Sequence, residues 1–232
     1  MRATVHRVAP RARSCDSDRS MTPLKQVWDR EVVGRLLDHG MSGVDPLRAE
    51  LLRDVRGRVV EIGFGTGANL PFYPDAVSEL VAVEPSVGLA ERARPRLEAW
   101  GRPHRVVSAS ASRPLPLDAR SFDAAVVTFV LCSVNDVKAV LGEVARLLAP
   151  GAPLFLAEHV AAPRGALRQV QKTIRPAWSA LLGGCDPARD TRARLDENGW
   201  DTSTLRDVAL ELPYPVRPGL VGTTRLAARS SA

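Results

Sequence analysis

The stretch that most constrains this chain is Val59 to Leu70, VVEIGFGTGANL. Val59, Val60 and Ile62 make a short apolar run of β-branched residues, which reads as a buried strand. Gly63, Gly65 and Gly67 follow at alternate positions. A glycine lets the backbone turn at positive φ and lets a ligand approach where a Cβ would otherwise stand. Ala68, Asn69 and Leu70 can then open a helix whose unpaired N–H groups face that ligand. Strand, glycine turn and helix in this order predict a nucleotide-type ligand site in an α/β fold.

The turn alone leaves the ligand open, since Gly63-x-Gly65-x-x-Ala68 also satisfies a loose dinucleotide pattern. Two acids narrow it. Glu61 closes the strand just before the turn, and Glu84 closes the next strand, Glu79 to Glu84, where an acid can bridge two ribose hydroxyls. Glu61-x-Gly63-x-Gly65-x-Gly67 followed by Val81-Ala-Val-Glu84-Pro85-Ser86 resembles the first two motifs of class I S-adenosylmethionine-dependent methyltransferases. In that family the turn passes under the amino-acid part of the cofactor and the second acid holds the ribose. The resemblance therefore implies cofactor contacts for Glu61, Gly63, Gly65, Gly67, Glu84 and Pro85. A short-chain dehydrogenase would need a Tyr-x-x-x-Lys pair. Tyr73 and Tyr214 are followed four places on by Val77 and Pro218, so that pair is absent. Larger dehydrogenases need a substrate domain for which 232 residues leave little room.

From Thr22-Pro23, a cap and first-turn proline, a helix is expected as far as Gly40. Its ridge is Leu24, Trp28, Val32 and Leu36, with Val27, Val33 and Leu37 beside it. A second helix is expected from about Pro46 to Val55. Pro71 to Pro74 should stop the helix after the glycine turn early, and Pro95 should kink or break the one that Ser86 caps. Arg105–Ser108, Phe122–Val130 and Leu154–Ala157 read as further strands. Val137, Val140, Leu141, Val144, Leu147 and Leu148 form a helical stripe between the last two. Two short helices split at Pro176 should follow, then a helix over Asp190–Asn198. Leu205–Leu212 and Val221–Leu226 complete the strands. Alternating strands and helices predict a Rossmann-like, doubly wound seven-stranded α/β sheet with right-handed crossovers. The family resemblance adds that the last strand is antiparallel. The expected organisation is a disordered tail over 1–20 and a single domain over 21–232, with helical cap elements at about 22–56 and 164–198.

The middle of the chain, Ser110 to Asp123, resembles the family's adenine loop. Many relatives have an aspartate where this chain has Ser110, and a hydroxyl is the weaker acceptor. Adenine recognition is then expected to lean on the Ala111 N–H and apolar stacking from Val87, with Thr128 and Phe129 bordering the methionine end. Val130–Asp136 (VLCSVND), Glu158–Pro163 (EHVAAP) and Pro176–Thr191 resemble the thiol S-methyltransferase branch of the methyltransferase-like proteins. Phospholipid N-methyltransferases and quinone C-methyltransferases share the earlier motifs and remain alternatives. So does a catalytically silent S-adenosylmethionine-binding module.

Net charge is +6, and half of it lies in the first twenty residues, where five arginines face two aspartates. With 5% aromatic residues, a nucleic-acid surface is not indicated. Vertebrate relatives carry a hydrophobic N-terminal anchor. No such stretch is present here, so no stable membrane anchor is expected, and the sparse cysteines suit a cytoplasmic location. Cys15, Cys132 and Cys185 make no CxxC pair and no zinc spacing, so no metal is expected. The acceptor is expected to be a small, largely apolar molecule, with a thiol first. A thiol must lose its proton to become the nucleophile. His159, after the fifth strand, could take it or orient the acceptor. Cys132 and Trp178 are the other candidate acceptor contacts. Cys132 and Cys185 also suit a small apolar filling role.

Overall fold

A computed structural model describes residues 23–227. The tail over 1–20 and the Thr22 cap lie outside the described residues. At the centre is β1 (Gly57–Ile62), flanked in parallel by β2 (Val77–Val83) and β4 (Ala124–Thr128). β3 (His104–Val107) extends the sheet beyond β2, and β5 (Leu154–His159) lies beyond β4. β7 (Pro218–Thr224) then runs antiparallel between β5 and β6 (Arg206–Ala209). The order β3-β2-β1-β4-β5-β7-β6 is a seven-stranded doubly wound sheet. Neighbours along β1 pack on opposite faces. Val60 and Ile62 join Val127, Leu141 and Val144, whereas Val59 joins Leu52, Leu80 and Leu97. Burial on both faces is why the parallel strands read as unbroken apolar runs.

The order β2-β1-β4 reverses the direction of winding at β1. That opens a crevice above the carboxyl ends of the central strands, where ligands bind in such sheets. Three connections differ from expectation. After the glycine turn there is only a single tight turn, Leu70–Phe72, because Pro71 and Pro74 crowd it and Tyr73 is turned into the core. α4 (Val87–Trp100) runs on through Pro95, and α6 (Ala166–Leu181) runs on through Pro176. Both prolines are exposed. The carbonyl each leaves unbonded can turn to water, so no break is needed. α5 (Val137–Leu147) is the stripe helix, and Asp136 caps it by accepting from the Ala139 N–H.

The N-terminal helix holds the largest correction. It is built as α1 (Pro23–Trp28), a wide π turn over Asp29–Val33, and α2 (Gly34–Gly40). The expected ridge faces outward, with Leu24 80% and Trp28 50% exposed. The extra residue in the wide turn instead aligns Asp29, Gly34 and Asp38 on the inner face. Asp29 is buried, Gly34 sits against the Arg92 side chain, and Asp38 pairs with Arg92 and Arg96 at 2.8 Å each. The remaining helices are α3 (Asp45–Leu52), against β5 and β7, and α7 (Thr191–Glu197), against α5. Among the described residues no helix is long and apolar enough to cross a membrane.

Candidate active site

At the end of β1 the chain turns through Gly63, Gly65 and Gly67, all at positive φ. Gly63 has no alternative, because a Cβ there would lie 2.3 Å from a Val130 methyl. Gly65 differs. A Cβ there would meet nothing nearer than 3.9 Å, so the space beside it is open. That space belongs to a cleft of about 330 Å³ lined by Gly63, Gly65, Glu84, Pro85, Ser110, Ala111 and Phe129, among others.

Glu84 is buried at the tip of β2. One carboxylate oxygen accepts from the Gly65 N–H and the other from the Ser86 N–H, both at 2.8 Å. Burial raises its pKa, those two bonds oppose the rise, and the nearby Asp29 adds to it. Asp29 lines the same cleft and accepts from the Ser86 hydroxyl at 2.9 Å. Nothing in the sequence marked Asp29, because only the wide turn in the N-terminal helix brings it inward. Asp38 reaches the turn as well, accepting from Thr66 Oγ1 at 2.7 Å.

Three of the expected cofactor residues lie one layer below the cleft. Glu61 is buried, and its oxygens accept from Tyr73 Oη at 2.6 Å and Asn69 Nδ2 at 2.8 Å. Asn69 also donates to Thr128 Oγ1 at 3.0 Å and accepts from Arg48 at 2.6 Å. Burial pushes Glu61 up to about 7 against the lowering effect of those donors. Glu61 and Thr128 thus brace the turn from beneath, and Gly67 packs on Leu70 and Phe64. Val87 is largely exposed, and Leu89 takes its place in the cleft wall. Phe129, a cleft residue, has φ 59, a conformation costly for a residue with a side chain. Its N–H bond to the Ala157 carbonyl, at 2.7 Å, helps hold it there.

The candidate acceptor residues come together, but outside the cleft lining. His159 is the last residue of β5 rather than beyond it. Its Nε2 lies 3.0 Å from Cys185 Sγ, and Trp178 Nε1 donates to the same sulfur at 3.3 Å. Cys132 completes the group: the two sulfurs and the imidazole nitrogen all lie within 4.8 Å of one another. Their neighbours Val130, Ser133, Leu182 and Gly183 do line the cleft, so the group stands directly behind its wall. Burial would lower the His159 pKa, but the Cys185 sulfur holds it above its ordinary value. Cys185 is lowered in turn, first by Cys132, then by His159 and Trp178 against burial. Glu158 has a separate task. Fully buried, it accepts the backbone N–H groups of Val130, Leu131 and Cys132 at 2.6, 2.8 and 3.2 Å, fixing the loop that carries Cys132.

A sheet wound in this order, with a glycine turn and a buried acid at the tips of its first two strands, defines a class I methyltransferase fold and cofactor site. Residues 60–156 match the family described as a methyltransferase domain. The chain is 31% identical to the thiol S-methyltransferase TMT1A of Homo sapiens over 174 residues, 71% of this chain and 68% of that protein. It is 34% identical to the thiol S-methyltransferase TMT1B of Rattus norvegicus over 186 residues, 74% of this chain and 73% of that one. A SAM-dependent methyltransferase of Thermotoga maritima shares the fold at a TM-score of 0.62 and 22% identity, over 86% of this chain and 98% of that chain. The chain belongs to the S-adenosylmethionine-dependent methyltransferases, and it is an enzyme of that class whose methyl donor is S-adenosylmethionine. The cleft fits that donor: open space beside Gly65, backbone at Ala111 and a carboxylate at Glu84 line one continuous wall.

Proposed function

We propose that this methyltransferase acts on the sulfur of a small, largely apolar thiol. The observation that carries the reading is the chemistry of the cleft wall. Its only charged side chains among the described residues are Asp29 and Glu84, and the rest is dominated by Val33, Leu37, Phe129, Val130, Val134 and Leu182. Such a wall offers no cationic groove for nucleic acid and no counter-charge for a phosphate. The thiol S-methyltransferases among the relatives support sulfur over nitrogen or carbon as the methylated atom. A cytoplasmic enzyme acting on a dissolved small molecule is consistent with both.

S-adenosylmethionine, when bound, supplies a methyl group already activated on a sulfonium. The chain's own residues then bind, orient and exclude water. Each Glu84 oxygen already accepts one N–H, which leaves it lone pairs for two ribose hydroxyls while it holds the turn. The Gly63–Gly65 backbone takes the amino-acid end with Phe129 bordering it, Ser110 and Ala111 take the adenine, and Pro85 borders the ribose. Glu61, Gly67 and Thr128 act from beneath by fixing the turn. Holding donor and acceptor in line is itself worth several kcal/mol of the barrier, about 7 or more in the best-oriented cases. We assign His159 to the acceptor side as a partner of Cys185 rather than as a free base, with Cys132 and Trp178 beside it behind the cleft wall.

The test is release of S-adenosylhomocysteine with a panel of acceptors: small aryl and alkyl thiols, phosphatidylethanolamine, a demethylated quinol and small amines. Turnover is expected with thiols. Turnover confined to the phospholipid or the quinol would replace this reading with one of those two. No release from any acceptor, with the donor still bound, would leave a binding module.

A further inference from the structure

Two thiols and an imidazole rarely meet by accident of packing. Cys132 lies in the loop after β4, His159 ends β5, and Cys185 lies in the loop after α6. Their ligand atoms nevertheless all fall within 4.8 Å of one another. Each is anchored by its own surroundings. The Cys132 N–H sits on Glu158 and the Cys132 carbonyl accepts from the Asp186 N–H at 2.8 Å, so the two cysteine loops are bonded to each other. His159 is fixed through the pairing of β5 with Gly219 on β7. Cys132 and His159 are buried, and Cys185 is partly exposed, which leaves one approach open. No fourth His, Cys, Asp or Glu among the described residues joins the group.

We propose that Cys132, His159 and Cys185 form a binding site for a thiophilic divalent cation, of which Zn²⁺ is the representative. Two thiolates and a neutral imidazole select zinc-type ions over Mg²⁺ or Ca²⁺, which prefer oxygen. Zinc takes sulfur at about 2.3 Å and imidazole nitrogen at about 2.0–2.1 Å in a tetrahedron, so its ligand atoms stand roughly 3.5–3.8 Å apart. To reach that arrangement His159 and Cys185 must part by about half an ångström from 3.0 Å, and Cys132, within 4.8 Å of both, must close by no more than about an ångström. His159 Nδ1 is buried without a partner, so Nε2 is the ring nitrogen presented to the two sulfurs. Three protein ligands leave one corner free, the pattern of zinc sites that take an exogenous ligand. Ser133, next to Cys132, and Gly183, two residues before Cys185, both line the cleft. If the acceptor is a thiol, as proposed above, its sulfur can occupy the corner as thiolate; this last step rests on that reading, whereas the metal site does not.

The test uses the full chain carrying Cys15→Ser, reduced and stripped of metal. Zn²⁺ is titrated against a chromophoric chelator, and Cd²⁺ is followed by its thiolate charge-transfer absorption. One ion per chain is expected, with absorption from two thiolates. Cys185→Ser, at the partly exposed ligand, is expected to weaken Zn²⁺ by on the order of 100-fold or more and to lower the absorption, with unchanged circular dichroism. Absence of binding, binding that survives Cys185→Ser, or a Cys132–Cys185 disulfide that forms instead and leaves no uptake after reduction would each overturn the site. Since no donor or acceptor is present, the outcome is separate from the acceptor panel. Zinc binding without thiol methylation would sink the acceptor reading alone, and thiol methylation without zinc binding would sink the metal site alone.

Discussion

The two walls of the cleft are built in opposite ways. The donor wall comes chiefly from one contiguous piece of chain: β1, the glycine turn and the tip of β2 hold Gly63, Gly65 and Glu84 within about twenty residues. The acceptor wall is assembled from the loops after β4 and α6, backed by His159 at the end of β5. Consecutive members of its backing cluster are separated by 26 or 27 positions. A local wall depends on backbone conformation and tolerates almost no side chain. An assembled wall depends on the loops that bring its parts together, and can be disturbed without touching the donor.

The largest effect should come from the local wall. Glu84→Ala removes both ribose acceptors and frees the Gly65 and Ser86 N–H groups. Hydrogen bonds to a charged group count for about 1.5–3 kcal/mol each. S-adenosylmethionine affinity is therefore expected to fall roughly 150-fold or more by calorimetry. A fall below threefold would mean that the carboxylate serves the turn and not the ligand. Gly184→Ala is the matching experiment on the assembled wall. Gly184 has φ +89, and a Cβ there would lie 2.9 Å from the Ser133 carbonyl oxygen, so the loop bearing Cys185 must move away. Acceptor kcat/KM should drop roughly ten- to hundredfold, as misplacement by an ångström does elsewhere. The dissociation constant of the donor should stay within about twofold. Equal losses in both would erase the distinction between the walls.

What the sequence made legible follows the same division. That Gly63, Gly65, Glu84, Pro85, Ser110, Ala111 and Phe129 share one cleft was legible from the motifs that carry them, in four loops at the same end of the sheet; their contacts with the donor belong to the proposed reading. The seven strands were readable from apolar runs, with ends displaced by a few residues. The cluster proposed to hold a cation was not, because ligand spacing is a local pattern and Cys132, His159 and Cys185 share none. The inward turn of Asp29 and Asp38 was hidden for a different reason. A 3.6-residue period cannot reveal one wide turn that shifts a helix face, so the apolar ridge at Leu24 and Trp28 gave no sign that it faces outward. The unbroken helices at Pro95 and Pro176 were missed because solvent exposure, not the residue type, decides whether the lost hydrogen bond matters.

The bracing layer beneath the donor wall gives a pH signature. Glu61 is held near 7 in the folded chain, above its ordinary 4.5. The folded state therefore keeps that proton when the unfolded state has lost it. Its contribution to stability is complete below the unfolded pKa and is lost as pH rises through the folded one. Unfolding free energy should fall between about pH 4.5 and pH 7 with a slope of up to about 1.4 kcal/mol per pH unit from this group. In Glu61→Gln, followed by urea denaturation across that range, the slope should become shallower by that amount, leaving the part due to Glu158, which burial also raises to about 7. A slope unchanged by the substitution would show that Glu61 is ionised throughout, and that Tyr73, Asn69 and Arg48 stabilise the charge more than burial opposes it.

The smallest expected effect tests how far the donor wall really is local. Asp38 belongs to the N-terminal helix, well outside the glycine motif, yet it accepts from Thr66 in the turn and pairs with Arg92 and Arg96 on α4. Burial alone would raise its pKa, but the bonds from Arg96, Thr66 and Arg92 outweigh it and hold the carboxyl below its ordinary 3.8. The sign is opposite to that of Glu61. This stabilisation is present above the unfolded value and is lost as pH falls through the still lower folded value. Asp38→Asn should therefore cost on the order of 1 kcal/mol at neutral pH, reduced by salt because Arg92 and Arg96 are partly exposed. The loss should appear first as faster amide exchange over α1 and α2, with the sheet still protected. Donor affinity should weaken only a fewfold, since Glu84 and the turn remain. If Asp38→Asn instead abolishes donor binding, the N-terminal helix is part of the donor wall, and the contiguous motif is not sufficient to build it.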